Sequence, residues 1–215
     1  MKLIAVRNSF IVIFLAGLLL LGCKTSRLEE KFTEGVIVPE ESQVMIENFN
    51  GNVEVEAGPE GKVTAQVTRF APATQREYLR DLGFAFSQHG PMVSAQATWN
   101  GPQNVTDVGM DLKFTVPPDA NLAVTMGSGD FICRMVPATR LAVLVRSGSV
   151  SIVLPEGTQF DITAKVENGS IQNDFALTTT RLHNEDHLDG IVGNNPKFKL
   201  VITVGTGKVH IKKSG

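Results

Sequence analysis

The chain has little cysteine, few aromatic side chains with a polar tip, and almost no net charge. Its 215 residues include two Cys, one Trp and one Tyr, and the formal net charge is −2. Two cysteines cannot build the dense disulfide framework of a small secreted domain. No block of basic residues stands out, so we expect no nucleic-acid partner.

The N-terminus lacks an apolar run long enough to cross a bilayer as a helix. Residues 10–21 form twelve consecutive uncharged positions, preceded by Lys2 and Arg7, whereas a spanning helix needs about 20 apolar residues. This pattern is typical of a secretory signal peptide, which is removed from the mature protein. We therefore predict a signal peptide over residues 1–22.

The residues that follow resemble a bacterial lipobox. The stretch is Leu20-Leu21-Gly22-Cys23, with a small residue at the cleavage position and a thiol that would accept lipid. The resemblance implies lipidation at Cys23 and membrane attachment, and Lys24 favours the outer membrane over the inner, on either of its sides. The alternative is an ordinary signal peptide with a chance cysteine. Polar residues 23–34 are interpreted as a lipidated tether.

Alternating apolar and polar residues dominate the chain from residue 35 to residue 215. This period of two predicts strands. One exception is the stretch 73–82, where Thr74 and Glu77 fit a capping box and predict a short helix. Around Gly90 the pattern predicts a strand, a turn and a second strand. The body is therefore expected to be one all-β domain with one short helix.

Five stretches share one register around a central glycine. Apolar residues recur two and four positions after each glycine, and three, five and seven positions before it, with Asn48 and Asn173 as exceptions. The glycines are Gly51, Gly129, Gly148, Gly169 and Gly207. Self-similarity at about 20 residues predicts a β-solenoid or β-roll with rungs of roughly 19–21 residues, each glycine forming a structural turn. The interval from Gly169 to Gly207 is expected to hold one degenerate rung.

This register assigns each side chain of a rung to one face. Ser147, Ser149 and Ser151 should point outward or lie at the corner, while Val150, Ile152 and Leu154 should point inward. Cys133 shares the register of Ile152, so we expect it to be buried and unreactive.

The same stretches resemble the bacterial "putative adhesin" domain family of unknown function, found in many envelope proteins. The resemblance rests on "ENFNGNVEVEA", "DLKFTVPPDANLAVTMGSGDFIC", "LAVLVRSGSVSIVLPEG", "FDITAKVENGSIQNDF" and "LDGIVGNNPKFKLVITVGTGKVHIKK", and it covers roughly residues 36–213. It implies a right-handed β-helix or β-roll. The family offers no catalytic residues to transfer to this chain.

Two stretches contain residue types that could carry chemistry. Residues 205–208, Gly-Thr-Gly-Lys, lack the spacing of a phosphate-binding loop and are better explained as a β-corner. His183 and His187, with Asp186 and Asp189 beside them, could hold Zn²⁺ if they lay on a helix, but on a loop they would be solvated. We therefore assign no catalytic residue, no metal site and no cofactor.

We expect a lipid-anchored, non-enzymatic binding or adhesion protein of the cell envelope. Its partners would be the membrane through the lipid and, in addition, another envelope protein or a surface polysaccharide. Two alternatives remain from other classes. One is an envelope-stress or signalling accessory that senses a ligand, and the other is a carbohydrate-active or metal-dependent envelope enzyme.

Overall fold

Alternating side chains produce strands along almost the whole chain in a computed structural model, which describes residues 27–183 and 185–214. The strands are β1 Arg27–Ile37, β2 Gln43–Asn50, β3 Val53–Ala57, β4 Lys62–Pro72, β5 Leu82–His89, β6 Met92–Trp99, β7 Gly109–Val116, β8 Asn121–Ser128, β9 Phe131–Arg134, β10 Arg140–Pro155, β11 Phe160–Asn173, β12 Thr179–Leu182, β13 Glu185–Val192 and β14 Phe198–Ser214. Within these described residues there is one helix, α1, which spans Tyr78–Asp81. The predicted all-β class is confirmed.

Each repeated glycine lies where a strand segment bends. Gly148, Gly169 and Gly207 lie inside β10, β11 and β14, whereas Gly51 separates β2 from β3 and Gly129 separates β8 from β9. We call these five glycine-centred segments the bent strands. The part before the glycine is the first arm, and the part after it is the second arm.

The bend at Gly148 leaves no room for a side chain. Its φ is +145°, and an added Cβ would lie 1.9 Å from the carbonyl oxygen of Gly129. Gly207 on the neighbouring strand β14 has no room for a side chain either, because a Cβ there would lie 1.7 Å from the carbonyl oxygen of Gly148. Backbone therefore packs directly on backbone along this ridge.

The bent strands pair in parallel with their glycines in register, but their order in the sheet differs from their order in the sequence. Gly148 pairs with Gly207, and Gly207 also pairs with Gly169. The last bent strand is therefore inserted between two that precede it in the chain. A stack of rungs in simple sequence order, as a solenoid would have, does not form.

The prediction of a degenerate rung between Gly169 and Gly207 is wrong. Strands β12 and β13 occupy this interval as an antiparallel hairpin, and β13 pairs antiparallel with β11. His183 at the turn of this hairpin has a φ of +50°. Because this turn reverses the chain direction, β13 cannot continue the parallel stack, and it covers the edge of the first arm of β11 instead.

The apolar positions of both arms form one core. Leu141, Val143 and Val145 before the glycine of β10, and Val150, Ile152 and Leu154 after it, are each at most 4% exposed and belong to a single buried cluster. The predicted inward register is therefore confirmed on this strand. Asn48, an exception in the register, is also buried, and its amide donates to the carbonyl oxygen of Met110 at 2.9 Å.

The polar stretch interpreted as a tether contributes to the sheet. Residues 27–34 belong to β1, which pairs antiparallel with β4 from Arg27 opposite Pro72 to Ile37 opposite Lys62. The amphipathic alternation of this strand is weak, since only Leu28, Phe32 and Val36 are half-buried along it. The strand conformation of β1 therefore depends on its pairing with β4, whose buried side chains belong to the core.

The helix is shorter than predicted, and its expected capping box is absent. Glu77 is the N-cap residue of α1, and no side chain caps the helix by a hydrogen bond. Leu79 is buried and attaches this single turn to the body.

The predicted hairpin around Gly90 is confirmed, because β5 and β6 pair antiparallel from Leu82 opposite Trp99 to His89 opposite Met92. In residues 27–183 and 185–214, no helix is long and apolar enough to cross a membrane.

Candidate binding surface

The outer face of the second arms carries polar side chains in columns. The first column follows the glycines directly and contains Asn52, Asp130, Ser149, Lys208 and Ser170. Pairing brings Ser149 opposite Lys208, and Lys208 opposite Ser170. Strand β7 extends this column through Asp111. The parallel pairing therefore gathers side chains that are far apart in the sequence.

Three acidic or amide side chains in this column bind the backbone of the next strand. Asp111 Oδ1 accepts from the Asn52 N–H at 2.9 Å, and Asn52 Oδ1 accepts from the Asp130 N–H at 3.0 Å. Asp130 Oδ1 then accepts from the Ser149 N–H at 2.9 Å. We call this chain of contacts the Asx ladder. It satisfies N–H groups that follow the bend.

A groove of about 450 Å³ lies beside the Asx ladder. Its lining combines carboxylates, amides, one hydroxyl and one ammonium group with three aliphatic residues: Asn52, Val53, Glu54, Gln66, Thr68, Asp111, Leu112, Lys113, Asp130 and Ile132. Such a surface offers many hydrogen-bond donors and acceptors to an extended polar ligand.

Ion pairs hold the long side chains of this face in place. Lys113 Nζ lies 3.0 Å from Glu56 Oε2, and Arg134 pairs with Glu54. Because these side chains are partly exposed, each pair contributes little to stability and serves chiefly to orient charges. The side chains of this face can therefore form hydrogen bonds with polar groups of a ligand. The carboxylates of Glu54, Asp111 and Asp130 already accept hydrogen bonds or pair with neighbouring donors.

Removing the Asp130 carboxylate tests the Asx ladder. We expect Asp130→Ala to destabilise the protein by about 1 kcal/mol, since the Ser149 N–H loses its acceptor. Chemical denaturation followed by far-ultraviolet circular dichroism measures this change. Asp161→Ala is the matched control, because that half-buried carboxylate has only a surface ion pair with Lys199 at 3.1 Å. Equal losses in both variants would contradict a structural role for the ladder.

Half of the groove comes from residues that the repeat pattern does not single out. Gln66 and Thr68 lie on β4, and Asp111 and Lys113 lie on β7. Neither strand contains a bend glycine of the repeat, so the register could not align them with the column. Alternation within each strand is the sequence signal that could have placed their side chains outward.

The cysteine and the outward serines lie as predicted. Cys133 is fully buried, and burial raises the pKa of its thiol to about 11. It is therefore neutral and shielded near neutral pH. Ser147 is exposed and Ser149 is half-buried on the outer face. Cys23, the predicted lipidation site, lies outside the described residues.

The histidine cluster is dispersed over the hairpin of β12 and β13. His187 Nε2 lies 3.2 Å from Glu185, whose pKa is lowered chiefly by a hydrogen bond from Lys165. Asp186 points inward and accepts from the Ile171 N–H at 3.2 Å, whereas His183 is exposed in the turn. The helical spacing required for a shared metal site is therefore not realised. Among residues 27–183 and 185–214, no group of three His, Cys, Asp or Glu side chains could hold a metal ion.

Residues 205–208 belong to the bend of β14 rather than to a loop before a helix. A Cβ on Gly205 would lie 2.7 Å from the carbonyl oxygen of Arg146. Lys208 pairs with Ser149 and points outward. The geometry is that of a tightly packed β-corner.

Comparison with family models and with curated proteins finds no match, whereas structural comparison finds a protein of similar fold. No family model matches the chain, and no curated protein matches it significantly. A crystal structure of a "putative cell adhesion protein" from Clostridium sporogenes aligns with 86% of this chain and 100% of its own, with a TM-score of 0.55 and 12% identity. This alignment shows a shared fold.

Two "putative adhesins" align more loosely. The protein from Parabacteroides merdae covers 86% of this chain and 97% of its own with a TM-score of 0.34 and 8% identity. The protein from Bacteroides fragilis covers 85% and 97% with a TM-score of 0.25 and 10% identity. Alignments this loose carry no argument about function.

Proposed function

We propose that this protein is a lipid-anchored, non-enzymatic binding protein of the cell envelope. In this proposal, residues 1–22 are a lipoprotein signal peptide, Cys23 carries the lipid, and the all-β body presents the binding surface. The outer membrane is the proposed location. A protein of the same fold from Clostridium sporogenes is described as a "putative cell adhesion protein", which agrees with a binding role.

The observation that carries the proposal is the polar groove beside the Asx ladder. Its side chains come from several strands of the stack, and backbone or ion-pair contacts hold Asn52, Asp111 and Asp130 in place. A preorganised polar surface loses little conformational entropy when a ligand binds. The parallel, glycine-aligned strands support this surface, and we propose that they form a β-roll whose strand order differs from the sequence order of a solenoid.

The groove suits an extended polar ligand, such as a surface polysaccharide or a peptide segment of another envelope protein. Carboxylates, amides and hydroxyls can exchange hydrogen bonds with either partner. The carboxylates of the groove are tied to neighbouring donors, including the Arg27 guanidinium on Asp111 at 2.6 Å. Binding rather than proton transfer is therefore the role that this geometry supports.

Replacing the proposed lipidation site tests the anchor. We expect Cys23→Ala to move the protein from the membrane fraction to the soluble fraction, because the acyl chains that hold it at the bilayer would be missing. Fractionation of cells followed by immunoblotting measures this change. The matched control is Cys133→Ala, which removes the buried cysteine and should leave the protein in the membrane fraction. Membrane retention of Cys23→Ala would disprove the anchor.

Photo-crosslinking in native cells tests the groove. A photoreactive amino acid at Gln66, which is exposed in the groove, should capture a polysaccharide or an envelope protein. The same amino acid at Leu144 is the control, because that side chain is 49% exposed on the outer face of a first arm. Identical products from both positions, or none from Gln66, would contradict a binding groove.

A further inference from the structure

The chain is held against the body from the first residue of β1 onward. The Arg27 guanidinium lies 3.6 Å from the centre of the Phe70 ring. It also donates to Asp111 at 2.6 Å and lies 3.3 Å from Glu29. Pairing of β1 with β4 then continues without a gap to Ile37. The place where the chain joins the body is therefore well defined.

Three residues separate Cys23 from Arg27. A fully extended chain spans at most about 3.6 Å per residue, so these four steps reach no more than roughly 14 Å. This limit holds for any conformation of the segment. If Cys23 carries the lipid, the Arg27 end of the body must lie close to the bilayer.

We infer that the end of the molecule around Arg27 is a bilayer-apposed surface that contacts phospholipid headgroups. This surface consists of Arg27, residues 72–81 and residues 99–107, and we call it the anchor-side surface. Its parts lie together, because one groove is lined by Arg27, Thr74 and Asp107, and the Asn100 N–H donates to the Asp81 carbonyl oxygen at 3.0 Å. The inference rests on the proposed lipid anchor. It adds the orientation of the body and a second, direct contact with the membrane.

The anchor-side surface contains the side chains that membrane interfaces favour. Tyr78 and Trp99, the sole Tyr and Trp of the chain, pack edge to face with ring centres 5.6 Å apart. Arg76 and Arg80 are exposed and form no ion pair within the described part of the chain. Aromatic side chains with a polar tip and arginines are enriched at headgroup level, where the arginines meet lipid phosphates.

Acidic side chains also lie on this surface, and they indicate which class of phospholipid headgroup it would contact. Glu77 and Asp107 are exposed there, and Asp81 is half-buried. A surface with both signs of charge suits headgroups that carry both a phosphate and an amine, as phosphatidylethanolamine does. The arginines pair with the phosphate and the acids with the amine.

The opposite end of β1 is acidic, which favours the same orientation. This end lies roughly 33 Å from Arg27, given a rise of about 3.3 Å per strand residue. Its loops carry Glu40, Glu41, Glu60 and Asp119. Anionic lipids repel such a cluster, so the charge distribution directs the Arg27 end toward the membrane.

Site-specific fluorescence quenching tests this orientation. The full-length lipidated protein, labelled at Thr74→Cys or at Glu60→Cys, is reconstituted into vesicles of phosphatidylethanolamine with a minority of phosphatidylglycerol. A fraction of the lipid carries a nitroxide on its headgroup. We expect several-fold stronger quenching at residue 74 than at residue 60. The buried Cys133 does not compete for the label.

The outcomes separate this inference from the anchor. Equal quenching at both positions, or stronger quenching at residue 60, overturns the inference while vesicle co-sedimentation still supports the anchor. Loss of co-sedimentation overturns the anchor and the inference together. Arg76→Gln combined with Arg80→Gln should lower quenching at residue 74 and leave co-sedimentation intact. Unchanged quenching in this variant would disprove direct headgroup contact by the arginines.

Discussion

Replacing Gly148 with alanine should destabilise the protein by at least about 3 kcal/mol, one of the two largest effects that we expect from a single substitution. A Cβ at this position would lie 1.9 Å from the carbonyl oxygen of Gly129, which is backbone and cannot rotate away. The φ of +145° adds strain for any residue with a side chain. Equilibrium unfolding in guanidinium chloride measures the change.

Gly157→Ala is the matched control for this prediction. Gly157 also has a positive φ, +82°, but an added Cβ there meets nothing within 4 Å. Its cost should be limited to backbone strain of about 1 kcal/mol. The difference between the two variants therefore isolates the close approach of neighbouring backbones. Similar losses of unfolding free energy in both variants would mean that the backbones of neighbouring bent strands do not approach closely at Gly148.

Truncating Phe160 should cost a comparable amount, about 3–5 kcal/mol for Phe160→Ala. The ring is fully buried, with the ring centres of Phe175 and Phe198 at 5.0 and 5.8 Å. Its removal leaves a cavity between β11, β14 and the segment that follows β11. Thermal unfolding, combined with denaturant titration, measures the loss.

Phe86→Ala provides the comparison for Phe160→Ala, because it deletes the same atoms at a half-buried position on β5. It should cost clearly less, since solvent already reaches that ring and less apolar surface is lost. If Phe86→Ala proved as costly as Phe160→Ala, the core would extend to the β5 edge. That result would contradict the half-buried position of Phe86.

The groove is only partly predictable from the sequence. The glycine register alone aligns Asn52, Asp130 and Ser149 in one column, because each follows a bend glycine. It cannot supply Asp111 or Thr68, whose strands lack that glycine and reach the column by sheet pairing alone. The hydrogen bonds of the Asx ladder depend on this pairing, so the register does not predict them either.

The histidine stretch shows the limit of spacing arguments. His183 and His187 are four residues apart, which brings side chains together on a helix but not on a hairpin. The turn at His183 and the pairing of β13 with β11 place Asp186 inward and His187 beside Glu185. Long-range pairing therefore decided the conformation of a segment whose local pattern left it open.

The sequence by itself determined that the protein is all-β, which side chains of the bent strands form the core, and that Cys133 is buried. These properties follow from alternation and glycine position within a single strand, and they need no knowledge of its neighbours. Only the tertiary structure decided that β14 lies between β10 and β11, and that residues 27–34 complete a sheet. Strand order depends on which edges remain free after the chain turns, and local side-chain patterns do not encode that choice.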